Sequence, residues 1–518
     1  MSLLHSQRPL RQNGLAVAAC LAACLSSGVA CNYSAATAVP TATETVPPST
    51  ATLLPVAPGT LPPSSPAPTS TAAPTSQLFP ITDSPGTTFR YTTRAGDTLL
   101  ALARRFDVEP GQIVSDAVLP ISGYLPARQA LQIPNALEAM SPGGDVLPDA
   151  ELVYSPTAAD FDIKSFVTSA GGYLSRYHET MADSPELSGA AIVQKVAEEN
   201  SVNPRLLLAL LESLSGWVYG SPPNADAQIY PLGFSIPDRT GLYQELSVAA
   251  TQLSRGYYGW RLGTVVETKP DDGGTIRWNP TLNAGTVAVL HLYALLSGTD
   301  RWMSRIVGPQ GFTARYQGMF GDPWARAAAA GPLVTPDLEQ PVMELPITPG
   351  ERWSLTAGPH YAWSAGTPRA ALDFSPITDE EPCAVSARWV TASAPGFVVR
   401  AGDNAVALDL DGDGRETTGW VLVYYHLADD GLILEGTLVA EGDPLGHPSC
   451  EGGRSTGKHV HFARKYNGEW IAADGPIPFV LSGWRAIADE RNYYGSLVRG
   501  AEQVTSDSSG QQGSTIWR

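Results

Sequence analysis

The chain is short of positive charge: 33 lysines and arginines face 51 aspartates and glutamates, a formal net charge of −18 at pH 7. Nucleic acids and anionic lipid surfaces reward Lys and Arg, so the deficit argues against both as partners. Histidine is scarce, with eight in 518 residues, so any cluster of imidazoles asks for a chemical reason. There are five cysteines, and three of them lie within the first 31 residues. Only Cys383 and Cys450 remain in the body of the chain. In an exported protein such an even pair is expected to form a disulfide, with two buried free thiols as the alternative.

The opening "MSLLHSQRPLRQNGLAVAACLAACLSSGVAC" sets Arg8 and Arg11 before a short apolar stretch that ends in small residues, as an export signal does. It is too short and too soon interrupted to read as an ordinary spanning helix. It resembles a bacterial lipoprotein signal, in which a cysteine after small residues is lipidated and becomes the mature N-terminus. "LAAC" points to Cys24 and "GVAC" to Cys31, and both stay open. A plain secretory signal or an uncleaved anchor is the alternative. The expected location is extracytoplasmic, as a cell-envelope lipoprotein or a secreted protein.

Residues 32–88 are dominated by Pro, Thr, Ser and Ala. Such a tract cannot bury enough apolar surface to offset chain entropy, and its prolines keep it extended. It reads as a stalk. Further breaks near 140–156 and 327–351 leave three ordered units, at 89–135, 160–330 and 350–500, with a disordered tail expected at 501–518. The expected class is multidomain α+β.

In the first unit, strand-like "FRYTT" leads through Gly96-Asp97-Thr98 to "LLALARRF" with apolar residues at helical spacing, and "ALQIP" closes as a second strand. "AGDTLLALARRFDV" and "LQIP" resemble a LysM module, which implies a βααβ fold that grips N-acetylglucosamine-containing glycan. In the second unit "SGAAIVQKVAEENSVNPRLLLALLESLSGWV" shows helical periodicity broken at "NSVNP", where Pro204 suits the first turn of a new helix. "NPRLLLALLESLSGW" resembles the active-site helix of lysozyme-like lytic transglycosylases and glucosaminidases. Aligned with their "ESGF"-like ending, Leu214 falls where the acid should be, and Glu212 lies two residues earlier, about 200° around the helix. The unit is therefore expected to bind glycan more readily than it cuts it.

The third unit holds five of the eight histidines: His360, His426, His447, His459 and His461. Its strand-like segments alternate with Gly and Asp turns, as in a mainly antiparallel sheet. In "TGKHVHFAR" strand alternation sends His459 and His461 to one face with Val460 on the other. In "GWVLVYYHL" the same period puts His426 on a face with Leu422 and Tyr424. "GPHYAWSAGTPRAALDF" adds His360 and Asp373. A zinc hydrolase needs about three nitrogen or carboxylate ligands and an open position for water. "DLDGDG" at 409–414 begins like an EF-hand loop, but Trp420 stands where a bidentate glutamate is needed, so a hairpin turn is expected.

"GPHYAWSAGTPRAALDF", "GWVLVYYHL" and "TGKHVHFAR" resemble the peptidoglycan zinc endopeptidases of the lysostaphin and beta-lytic type. The thirteen-residue step from His360 to Asp373 is similar to the beta-lytic, LasA-like branch. The resemblance implies that His360, Asp373 and His461 bind Zn2+ and that His426 and His459 form the non-ligand catalytic pair, His459 as base and His426 as a donor to the oxyanion or leaving amine. Tyr425 resembles a tyrosine of that branch or is core, and His447 matches no motif position. The expected function is a zinc endopeptidase acting on the peptide stems of peptidoglycan and held to its glycan by the LysM module. A noncatalytic wall-binding scaffold and a glycan-cleaving enzyme centred on 160–330 are the alternatives.

Overall fold

The computed structural model describes residues 88–181, 185–510 and 512–518. The signal at 1–31, with Cys24 and Cys31, and the stalk up to residue 87 lie outside the described residues.

At 89–135, strand β1 (Thr88–Thr92) pairs antiparallel with β2 (Ala130–Pro134) beside helix α1 (Leu99–Phe106). The Thr98 side chain caps α1 by accepting from the Ala101 N–H. The expected second helix is reduced to a 3-10 turn at Pro110–Gln112. Pro110 starts that turn, but Gly111 and the β-branched Ile113 and Val114 do not favour its extension. The module is not isolated: Arg105 Nε donates to the Trp260 carbonyl and Arg261 Nη1 to that of Ala95.

Helices follow at α2 (Ile163–Ala170), α3 (Gly189–Asn200), α4 (Pro204–Ser215), α5 (Leu242–Leu262), α6 (Ala284–Val307), α7 (Phe312–Phe320) and α8 (Pro323–Ala330). Pro204 is the first residue of α4, capped by the Asn203 side chain, and the helix ends on Gly216 in the left-handed region.

The main sheet runs β3 (Arg352–Tyr361), β4 (Arg369–Pro376), β5 (Gly396–Gly402), β6 (Ala405–Asp409), β7 (Trp420–Tyr425), β8 (Leu438–Val439), β9 (Val460–Tyr466), β10 (Glu469–Trp470) and β11 (Thr515–Trp517). Its spatial order is β8-β5-β6-β7-β9-β4-β3-β11, with β10 on β9. The tail expected to be disordered thus ends in a strand: β11 pairs with β3, and Glu502–Thr505 closes a smaller four-stranded sheet. Buried Val504 and Ile516 give that polar tail enough apolar anchorage to order it.

Strand alternation gives the main sheet two different faces. One carries Leu372, Phe374, Leu422, Tyr424, Val460 and Phe462 into a core with Phe479 and Trp484. The other carries Ala371, Ala407, Val421, Val423 and Ala463, small enough to admit the helices, and joins their core. The helical and β units expected to be separate therefore share one hydrophobic core. The described residues belong to one compact unit.

Under the helices, Lys465 and Arg400 converge on Glu416 at 2.5 and 2.9 Å; Lys465 and Glu416 are nearly solvent-free, and Arg400 is partly buried. Burial pushes the Glu416 carboxyl up, but Arg400 and Lys465 outweigh it and hold it down at about 2. Its contribution to stability is complete above the ordinary glutamate range, about 4.3, and is lost as pH falls toward about 2. Glu416→Gln, which strands the buried Lys465 and the partly buried Arg400, should cost about 3–5 kcal/mol at pH 7. It should also flatten the loss of stability on acidification. Urea titrations at pH 7 and pH 3 measure both.

Candidate metal centre

Three strands deliver the donors. His461 on β9 lies directly across from Asp373 on β4 and from Tyr425 on β7. β3 approaches β4 with a register break between Ala357 and His360, and the bulge re-aims the His360 imidazole. Gly358, inside the bulge, has no room for a side chain: a Cβ would lie 2.6 Å from the Gly495 nitrogen.

His360 Nε2 lies 2.9 Å from His461 Nδ1 and 3.1 Å from Asp373 Oδ1, and His461 Nδ1 lies 3.3 Å from the same oxygen. The outer nitrogens are committed, His360 Nδ1 donating to the Gly358 carbonyl at 2.9 Å and His461 Nε2 to that of Ala362 at 2.8 Å. Each inner nitrogen is thereby left as a lone pair, the orientation of metal-ligating imidazoles. Asp373 Oδ1 is buried and has no hydrogen-bond partner among the described residues. A tetrahedral zinc with bonds of about 2.0 Å sets its donors about 3.3 Å apart, close to these separations. Two imidazoles and a carboxylate are also the donor types it takes, so these residues fit a zinc ion.

The buried donors shift one another's proton affinities. Burial pushes the Asp373 carboxyl up, yet His360 and His459 hold it well below the usual range. Burial pushes His360 down but the Asp373 charge raises it overall, while for His461 burial prevails and the ring is lowered.

His459, just before β9, donates from Nδ1 to the Gly457 carbonyl at 2.8 Å and holds Nε2 3.6 Å from Asp373 Oδ2. His426 arrives by a route that alternation does not describe. Leu422 and Tyr424 point into the opposite core, and His426 adopts a left-handed φ of 64° just after β7, which turns it toward the site. Its Nδ1 donates to the Glu451 carbonyl at 2.9 Å, and its ring centroid is 4.6 Å from that of His459. Burial and the neighbouring His459 push His426 down to about 4.

Tyr425 lines the cleft with its ring against those of Trp363 and His426. Tyr493, which no sequence signal singled out, stacks on His360 at 4.7 Å. His447 stacks on Trp389 outside the cleft. Lys458 is buried and donates from Nζ to the Glu381 carbonyl. Asp409 and Asp411 accept N–H groups of their own loop, as a hairpin turn requires. Glu212 stands apart from the cleft, its Oε2 accepting from the Val218 and Tyr219 amides at 3.1 Å and its Oε1 3.6 Å from Arg315.

The cleft, about 1050 Å³, is floored by two imidazoles and a carboxylate with two further imidazoles at its side, the donor types that a metal-dependent hydrolase uses. Residues 145–333 match the family described as LasA, N-terminal domain. Protease LasA of Pseudomonas aeruginosa is 29% identical over 324 residues, which cover 57% of this chain and 71% of that protein. A second strain's Protease LasA is 28% identical over 322 residues. Among solved structures, the M23 metalloprotease Pseudoalterin is 24% identical over 32% of this chain and 96% of its own, with a TM-score of 0.28. A zinc-containing peptidase from Vibrio cholerae is 18% identical over 27% of this chain and 41% of its own, with a TM-score of 0.21. The relatives named as proteases, taken with the donor set, support a metallopeptidase.

The Cys383–Cys450 disulfide is present and spans 67 positions. It pins the segment that orients both non-ligand histidines, because Glu451 accepts from His426 and Ser449 bridges to His459. Thiol labelling of the denatured, unreduced protein should find neither cysteine free. Replacing both with serine should cost on the order of 4 kcal/mol and lower kcat while zinc is retained, which melting, turnover and metal analysis test together.

Proposed function

We propose that the protein is a zinc endopeptidase that hydrolyses peptide bonds in bacterial cell-wall peptidoglycan. It is exported, carries a lipid on Cys24 or Cys31 or is released, and is held to glycan by the LysM-like module at 89–135. The observation that carries the reading is the convergence of the three inner donor atoms of His360, Asp373 and His461, with the Asp373 oxygen otherwise unpartnered. The curated relatives named Protease LasA support it.

His360, Asp373 and His461 would hold the metal. A zinc ion there supplies Lewis-acid charge that polarises the scissile carbonyl and acidifies a water. His459, with Nδ1–H fixed on Gly457, presents a bare Nε2 and takes the proton of the attacking water. His426 is neutral, and its Nδ1–H is likewise committed, so its Nε2 enters as an acceptor. It becomes a donor to the oxyanion or the leaving amine only when it carries a proton passed within the pair. His461→Ala should lose both zinc and turnover, whereas His459→Ala should keep zinc and lose about 10²–10⁴-fold in kcat. Metal analysis beside mass spectrometry of digested peptidoglycan reads both, and equal zinc loss in the two variants would overturn this division of roles.

The helical region binds glycan without cutting it. The contacts of Glu212 with two backbone amides support this, because they occupy the carboxylate structurally. Wild type should release new peptide termini and no new sugar ends, and Glu212→Gln should leave that product pattern unchanged. Sugar ends that vanish in the variant would make Glu212 a glycosidic acid.

A further inference from the structure

The residue before His459 is a lysine with almost no access to solvent: Lys458 is 5% exposed. A buried ammonium is costly unless its donors are answered. The partners come from one loop. Nζ donates to the Glu381 carbonyl at 2.6 Å and sits 3.4 Å from Glu380 Oε2. The backbone at 458 is held by the same stretch of chain: its amide donates to the Pro382 carbonyl at 2.6 Å, and its carbonyl accepts from Ser375 Oγ at 2.7 Å. Side chain, amide and carbonyl of a single residue are thus all anchored between 375 and 382.

The loop does not need the lysine in return. Glu380 accepts from the Ala387 amide at 2.8 Å and from the Ser386 and Thr378 hydroxyls at 2.9 and 3.0 Å. These bonds, the Ala387 amide foremost, hold its carboxyl down at about 2. Cys383 ties the loop covalently to Cys450. The loop is therefore a preformed jaw, and Lys458 is what it grips.

The grip falls where the sheet gives little support. Pairing of β9 with β4 begins at Val460, and the His459 amide reaches the Ser449 carbonyl at a long 3.4 Å. The carbonyl that receives His459 Nδ1–H belongs to Gly457, on the other side of Lys458. Residue 458 thus joins the imidazole's own backbone to the acceptor that fixes its ring.

We propose that Lys458 is a positioning residue, its buried ammonium clamped by the 380–382 segment to fix the backbone from which His459 presents Nε2 to the cleft. The proposal rests on the peptidase reading and adds to it a residue that acts through the base.

The test is Lys458→Met, which keeps the length of the side chain and removes the ammonium. Glu380 retains its own three donors and an apolar chain suits a buried position, so the melting temperature should move by no more than about 2–4 °C. With zinc retained and KM unchanged, kcat on peptidoglycan should fall about tenfold, less than the roughly hundredfold loss that a 1 Å misplacement brings. Imidazole 15N NMR should find His459 as the single Nδ1–H tautomer in wild type and as a mixture of tautomers in the variant. Ser375→Ala releases the same backbone without touching a buried charge and should lower kcat about threefold, the scale of one neutral hydrogen bond. A lower melting temperature with kcat and tautomer unmoved would make the lysine merely structural and overturn the proposal, as would a raised KM with kcat spared. If Lys458→Met does not fold, Ser375→Ala decides by the same kcat and tautomer readouts. A wild-type protein without turnover refutes the peptidase reading alone, and the tautomer spectra then decide the clamp.

Discussion

Every imidazole at the site donates one ring N–H to a backbone carbonyl, and the rest of the chemistry depends on that constraint. Gly358, Ala362, Glu451 and Gly457 supply the four acceptors. A neutral imidazole has one donor and one acceptor nitrogen, so fixing the donor outward leaves a lone pair facing the cleft. Two such lone pairs 2.9 Å apart, with a carboxylate oxygen beside them, form an electron-rich pocket that a cation relieves. The remaining two, His426 and His459, likewise keep Nε2 uncommitted to the backbone.

These carbonyls are themselves held by the fold. The Gly358 amide donates to Tyr493, which brings the segment after the smaller sheet's second strand over the ligand His360. Glu451 follows the disulfide-bonded Cys450, and the other half-cystine, Cys383, adjoins Pro382, whose carbonyl accepts the Lys458 amide. The covalent bond therefore reaches both non-ligand histidines through single hydrogen bonds. The metal site instead depends on strand register, which is set by the apolar pattern of β4, β7 and β9.

The sheet face that bears the ligands is also the face that seats the helices. His461 and Ala463 are two residues apart on β9, so one periodicity serves both a metal centre and an interdomain core. This is why Glu199 of α3 and Tyr243 of α5 reach the cleft: wherever the helices stop covering the face, their edge becomes a wall of the site.

Much of this was legible in the sequence, and the part that was not has a common cause. Local spacing is enough to expect the β1-α1 turn, the Pro204 helix start, a paired Cys383 and Cys450, and imidazoles gathered in the third unit, because capping, periodicity and residue chemistry act within a few positions. His426 was assigned to the wrong face because alternation fails where a residue takes a left-handed φ, and no local signal announced that turn. The tail after residue 500 read as disordered because its anchorage, Ile516 across from Trp353, lies over 160 positions away in the chain. The sequence by itself determined which groups could bind a metal and move protons. Only the tertiary structure decided that a bulge at Gly358 aims His360 at His461, that Glu212 is spent on backbone amides, and that two helices wall the cleft, because each rests on contacts between segments far apart in the chain.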